Sequence, residues 1–389
     1  MTVTTPGGFR AAGVAAGLKT SGASDVALVV NDGPDAGVAA VFTSNRVKAA
    51  PVVWTQQVVH GGLVRAVVLN SGGANACTGP AGFQDTHATA EHTAAELSAV
   101  SGREYGAGEV AVCSTGLIGE RLPMEKLLPG VASAVRALAG DGGDAAAEAI
   151  MTTDSRPKTA VTRGDGWTVG GMAKGAGMLA PGMATMLCVL TTDAVAPPET
   201  LGAALRAATR VTFDRVDSDG CMSTNDTVLL LSSGASGVTP SEAELTGAVT
   251  AACHDLARQL LADAEGATKE IAIEVVGAAN EDEAVEVGRS VARNNLVKTA
   301  LFGNDPNWGR ILAAVGTTAA TFESNEIDVA VNGIWICRSG AAAEDRSRVD
   351  LTGRDVTIRI DLHAGAAEAT VWTNDLSHGY VHENSAYST

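Results

Sequence analysis

Between Lys174 and Asp193 the chain reads KGAGMLAPGMATMLCVLTTD, with eighteen consecutive uncharged residues inside the two charged ends. So long a charge-free run has to be buried in a core or in a bilayer, and it constrains whatever surrounds it. Its length suits a membrane helix, but three glycines, one proline and three threonines interrupt it, and no span is expected. Its second half, MATMLCVLTT, reads as a buried strand behind a glycine-rich turn. Residues Gly175 to Ala180 fit the loose dinucleotide pattern GxGxxA. That fingerprint opens a helix, whereas Pro181, Gly182 and the β-branched run lead away from one. The phosphate-binding form GxxxxGK[ST] does not occur.

A chain of 389 residues exceeds the usual span of one core and suggests two domains or one large intertwined one. The net charge of −17 repels phosphate backbones and anionic headgroups, which argues against nucleic-acid and membrane partners. The closest two of the six cysteines, Cys221 and Cys253, are 32 positions apart, so no zinc-type spacing exists. Contexts such as VAVCST and TMLCVL read as reduced core cysteines. The first twenty residues lack a basic start followed by an apolar block, and a cytoplasmic protein is expected.

Short runs bounded by Gly, Pro, Asn or Asp predict strands in DVALVVND, GVAAVFTSN, APVVWT and VRAVVLN. EVAVCSTG, EIAIEVVGA, IDVAVNGIWI, DVTIRIDL and AEATVWTNDL read the same way, and RGDG predicts a hairpin between KTAVT and GWTVGGMA. Helices are expected over 83–100, over the Ala-rich 131–151 with a break at GDGG, in PPETLGAALRAATR, over 241–264 and in EDEAVEVGRSVARNNLVKTALFG. The helix at 241–264 opens on a capping box, Ser241 to Glu244. Strands cluster without strict alternation with helices, so the fold class is mixed α/β, with helices packed outside the sheets. His378 and His382 stand four apart, but their flanks look irregular and no third ligand is near, so surface or hydrogen-bonded histidines are expected. Asp217-Ser218-Asp219-Gly220 lacks the remaining carboxylates of a calcium loop and reads as a solvated turn. No metal is expected.

Within the charge-free run, Ala184-Thr185 offers a different chemistry. A threonine hydroxyl is a weak nucleophile until a base takes its proton, and its own α-amine is an economical base. That amine is free only if the chain is cut before Thr185. Attack of the hydroxyl on the Ala184 carbonyl would give an ester by N-to-O acyl shift, and water would then release a new N-terminus.

KGAGMLAPGMATML resembles the cleavage and nucleophile segment of the ornithine acetyltransferase (glutamate N-acetyltransferase) family. The likeness extends along the chain through LNSGGANACTG (69–79), STGLIGERLPM (114–124), IMTTDSRPK (150–158), DAEGATK (263–269), NNLVKTALFGNDPNWGR (294–310) and YVHENSAYST (380–389). It implies sheets sandwiched between helices and self-cleavage into an α chain (1–184) and a β chain (185–389) that assemble as an α2β2 heterotetramer. It implies Thr185 as the nucleophile, with Thr115 and Gly116 forming the oxyanion hole. Thr152 (with Thr153 adjacent), Lys174, Thr185, Glu265, Asn384 and Thr389 would bind substrate. The implied reaction is ping-pong transfer of acetyl from N-acetylornithine to glutamate, giving ornithine and N-acetylglutamate in arginine biosynthesis. No cofactor is needed, and acetyl-CoA enters as a donor only if the chain is a bifunctional member.

Two other readings stand beside this one. A self-cleaving aminopeptidase or amidase would share the nucleophile and send the acyl group to water. A non-catalytic amino-acid-binding protein would remain a single chain.

Overall fold

The computed structural model describes residues 1–178 and 186–386. Three sheets organise them. The first holds, in spatial order, strands Phe9–Val14, Val26–Asn31, Ala66–Asn70 and Val110–Ser114, the last two parallel. The second runs Gly37–Phe42, Thr227–Ser232, Leu187–Thr192, Thr168–Lys174 and Lys158–Arg163. The third runs Ala341–Ala342, Ile334–Arg338, Asp328–Val331, Asp355–Asp361, Glu270–Ala278 and Ala367–Asn374.

The strand from the charge-free run lies in the middle of the second sheet, and every one of its six residues is buried. Alternation along it separates two cores. Leu187 and Val189 join the core of the first sheet, while Cys188 and Leu190 pack with the helices Pro198–Val211 and Glu242–Ala262. A charge on either face would lie in a core, which accounts for the composition of this half of the run. The third sheet has its own core with helices Glu281–Ala292, Asn295–Phe302 and Trp308–Val315. This is the mixed α/β class expected, with helices outside the sheets.

The hairpin at RGDG forms, pairing Arg163 with Thr168. The capping box closes as read: Glu244 N–H donates to Ser241 Oγ at 3.3 Å, and Ser241 N–H donates to Glu244 Oε2 at 2.8 Å.

Four local expectations need correction. APVVWT opens the helix Ala50–His60, with Pro51 in its first turn, and is no strand. IDVAVNGIWI is two strands folded about Asn332-Gly333, both with positive φ, as a tight turn requires. The C-terminal flank of His378 is helical, over His378–Ala386, and His378 packs edge-on against Phe302. Residues 217–220 are a solvated bend only at their end: Gly220 is exposed, but Asp217 is fully buried and Ser218 nearly so. Asp217 accepts from Arg293 Nε at 2.7 Å, and the buried Lys298 ammonium donates to the Ser218 carbonyl at 2.6 Å.

All six cysteines are free thiols, four of them buried. Among the described residues, no helix is long and apolar enough to cross a membrane, and no cluster of three His, Cys, Asp or Glu is arranged to hold a metal.

Candidate active site

The first and second sheets, the end of helix Glu242–Ala262 and the C-terminal helix converge on a cavity of about 390 Å³. Thr115, Gly116, Thr152, Lys174, Glu265 and Asn384 all line it. Ala184, Thr185 and Thr389 lie outside the described residues.

Thr115 and Gly116 form the corner at the end of strand Val110–Ser114. Thr115 N–H donates to the Asn70 carbonyl at 2.9 Å, and its own carbonyl accepts from Gly73 N–H at 3.0 Å. This brings Gly116 so close to Gly73 that a Cβ would meet Gly73 N at 2.7 Å, and its φ of +130° also excludes a side chain. Asn225 braces the corner from the neighbouring loop, its amide donating to Ala74 O at 2.6 Å and Ser114 O at 2.8 Å.

Lys174 ends its strand opposite Leu187 and is 1% exposed. Its ammonium donates to Thr115 Oγ1 at 3.2 Å. Burial pulls it below the usual lysine range, while Asp154 pulls the other way. Asp154 is itself nearly buried. It accepts from Gly175 N–H and from the fully buried Lys158, each at 2.6 Å, and Lys158 also donates to Asp263 at 2.6 Å. Burial pushes the Asp154 carboxyl up, but Lys174, Lys158 and the Gly175 amide outweigh it and hold the carboxyl low. The cavity therefore rests on alternating charges: Asp154 fixes the backbone after Lys174 and favours its cation, against burial and the Lys158 charge.

Glu265 follows the helix Glu242–Ala262 and is 8% exposed. Its N–H donates to Ala176 O at 3.0 Å, which ties it to the turn after Lys174. Its carboxylate accepts from Thr153 Oγ1 at 2.7 Å and from Asn384 Nδ2 at 2.9 Å. Gly177 makes room for it, since a Cβ there would come within 2.6 Å of Glu265 Oε2. Gly266 has φ +61° and lets Tyr380 N approach to 2.1 Å from where a Cβ would sit, so the C-terminal helix can dock and deliver Asn384. Thr152 and its neighbour Thr153 have different partners. Both line the cavity, but Thr153 holds Glu265, and Thr152 N–H donates to Asp154 at 3.0 Å.

Sequence reading missed Asp154, Asn225 and Asp226. The signal lay in STNDT (223–227), an uncharged polar run broken by one Asp directly before a wholly buried strand.

In chemical terms the cavity offers a buried cation, a hydroxyl and a glycine amide on one side and a carboxylate with an amide on the other. That set suits a small molecule with both an acidic and an amino group.

A model of the ArgJ family matches residues 10–389. The arginine biosynthesis bifunctional protein ArgJ of Thermobifida fusca is 66% identical over 389 residues, covering all of both chains. The protein of that name from Mycobacterium tuberculosis is 62% identical, over all of this chain and 96% of its own. A crystal structure of ornithine acetyltransferase complexed with ornithine, from M. tuberculosis, is 66% identical over the matched part. It covers 48% of this chain and 96% of that one, with a TM-score of 0.46. Matched from residue 10 to its last residue by the family model and end to end by close relatives, this chain belongs to the ArgJ family.

Proposed function

We propose that the chain is a glutamate N-acetyltransferase of arginine biosynthesis that moves acetyl from N-acetylornithine to glutamate through an acetyl ester on Thr185. It first cuts itself between Ala184 and Thr185. The observation that carries this reading is the convergence of Thr115, Gly116, Thr152, Lys174, Glu265 and Asn384, 269 positions apart at the extremes, on one cavity. The strand following Thr185 lies beside it, with Leu187 paired to Lys174.

In the first half-reaction the α-amine of Thr185 takes the hydroxyl proton, and Oγ adds to the acetyl carbonyl. Because Thr115 Oγ1 accepts from Lys174, its own O–H is directed elsewhere and made more acidic by the cation. With Gly116 N–H it stabilises the oxyanion, an effect worth about 3 kcal/mol per donor. The C–N bond breaks, ornithine leaves with the proton, and glutamate repeats the sequence in reverse with its own amine. Lys174 pairs with the α-carboxylate of each amino acid. Glu265 and Asn384 receive the side-chain end, which is an amine in ornithine. Thr389 adds the terminal carboxylate. The cut chains, 1–184 and 185–389, pair as an α2β2 heterotetramer in the cytoplasm. The relatives are named as bifunctional proteins, and acetyl-CoA enters as a second donor only if this chain is bifunctional too.

Mass analysis after incubation with N-acetylornithine tests this. One acetyl group should appear on the fragment that begins at Thr185, persist without glutamate and disappear when glutamate is added. Steady release of acetate without glutamate would instead favour the amidase.

A further inference from the structure

The loop between the 3-10 turn Phe213–Arg215 and strand Thr227–Ser232 carries three carboxyls that the proposed chemistry does not use, Asp217, Asp219 and Asp226, and the last two bond to the ends of the run that holds Ala184-Thr185. Asp219 Oδ2 accepts from Met178 N–H at 2.8 Å. Asp226 Oδ1 accepts from Met186 N–H at 3.0 Å, and the Met186 carbonyl accepts from Thr227 N–H at 3.3 Å. Met178 and Met186 are the residues directly before and directly after segment 179–185, which contains the Ala184-Thr185 bond. One loop thus holds both ends of that segment.

The loop is itself anchored. Asn225 ties it to Ala74 and Ser114 beneath the Thr115 corner. Thr43 Oγ1 donates to Ser223 O at 2.8 Å, and Asn45 Nδ2 donates to Met222 O at 3.2 Å. At its start Ser218 Oγ donates to Asn374 Oδ1 at 2.7 Å. Met178 has φ +53°, a left-handed conformation that a non-glycine residue keeps only when its surroundings impose it. The Asp219 bond is such an imposition. Asp226 is fully buried, and among the described residues its Oδ2 has no hydrogen-bond partner, although the Thr43 and Ser223 hydroxyls are near. Burial pushes this carboxyl well above its usual range, against the Met186 amide and the Lys174 charge. What the geometry asks of Asp226 Oδ1 is to accept from Met186 N–H, a part that an amide oxygen can play.

We propose that loop 217–226 is a two-point clamp in which Asp219 and Asp226 are positioning residues for the segment that is cut. Asp226 holds the Met186 amide, directly after Thr185 in the chain, and can do so before and after the cut. Asp219 reaches across it, because Met178 belongs to the N-terminal product. The inference rests on the function proposed above.

Intact-mass time courses of the freshly made protein, followed by kcat and KM for N-acetylornithine, test it. Asp226→Ala should slow the cut and lower kcat by about tenfold to a hundredfold, the usual cost of a misplaced nucleophile, with KM near wild type. Asp226→Asn keeps the acceptor and should restore both. Asp219→Ala should slow the cut and raise KM, since Gly177 and Met178 line the cavity, and leave kcat near wild type. An Asp226→Ala protein cut at the wild-type rate with wild-type kcat would overturn the clamp, as would an Asn variant as slow as the Ala one. Should the Asp226 variants fail to fold, Asp219→Ala decides, and cutting at the wild-type rate counts against the proposal. A wild-type chain that never cuts would instead sink the function on which the clamp rests.

Discussion

Gly116 shows how little freedom a single position can have. Its φ of +130° and the Gly73 amide only 2.7 Å from a would-be Cβ leave no room for a methyl group. Gly116→Ala should push the corner off Gly73 and move the amide assigned to the oxyanion. We expect kcat to fall about a hundredfold or more with KM little changed, measured by steady-state kinetics. Equal kcat would remove Gly116 from that role.

Asp217 carries a pH dependence. Burial, opposed by Arg293, lifts its carboxyl from 3.8 to about 6. Between those values the native chain holds a proton that the unfolded chain has lost. Its contribution to stability is therefore complete below 3.8 and is lost as pH rises through about 6. Two units correspond to about 3 kcal/mol at most. Asp217→Asn should remove this loss, so its stability relative to wild type rises between about pH 4 and pH 7. Urea unfolding at the two ends of that range measures the difference, and parallel profiles would contradict it.

At the scale of elements, legibility followed the length and periodicity of the pattern. Helix Glu242–Ala262 announced itself through its cap. Ser241→Ala should cost about 1 kcal/mol in urea unfolding and leave kcat unchanged. APVVWT misled because β-branched residues favour strands only where a sheet takes them up. Here Val52, Trp54, Thr55 and Val58 form the buried face of a helix that Pro51 starts, with Trp54 Nε1 donating to Val110 O at 3.1 Å. Asn332-Gly333 was a turn signal inside an alternating run, and alternation alone hid it. The cavity-lining residues were legible only through family resemblance, because Lys174 and Glu265 look like ordinary surface charges when read singly. Asn225 and Asp226 carried a signal in STNDT, whereas Asp154 acts on the site through Lys174 and Gly175, and no spacing in the sequence marks it.

On the scale of the whole molecule, each sheet contributes one side of the site. The first gives Thr115, the second Lys174, and the approach to the third gives Glu265. The third sheet is locked to the rest partly by Lys298, whose ammonium donates to Ser218 O, Thr373 Oγ1 and Asn374 O. Lys298→Met would strand those acceptors and should lower the unfolding free energy by about 3 kcal/mol, measured by urea titration. A change within about 0.5 kcal/mol would show that the lock lies elsewhere.

Self-cleavage at Ala184-Thr185 is a single covalent event, so the intact mass of the purified protein beside Thr185→Ala tests it most directly. It predicts two fragments for the wild type, residues 1–184 and 185–389, and a single uncut chain for the variant. One uncut chain in both samples, or a cut at any other bond, would contradict Thr185 as the self-released nucleophile.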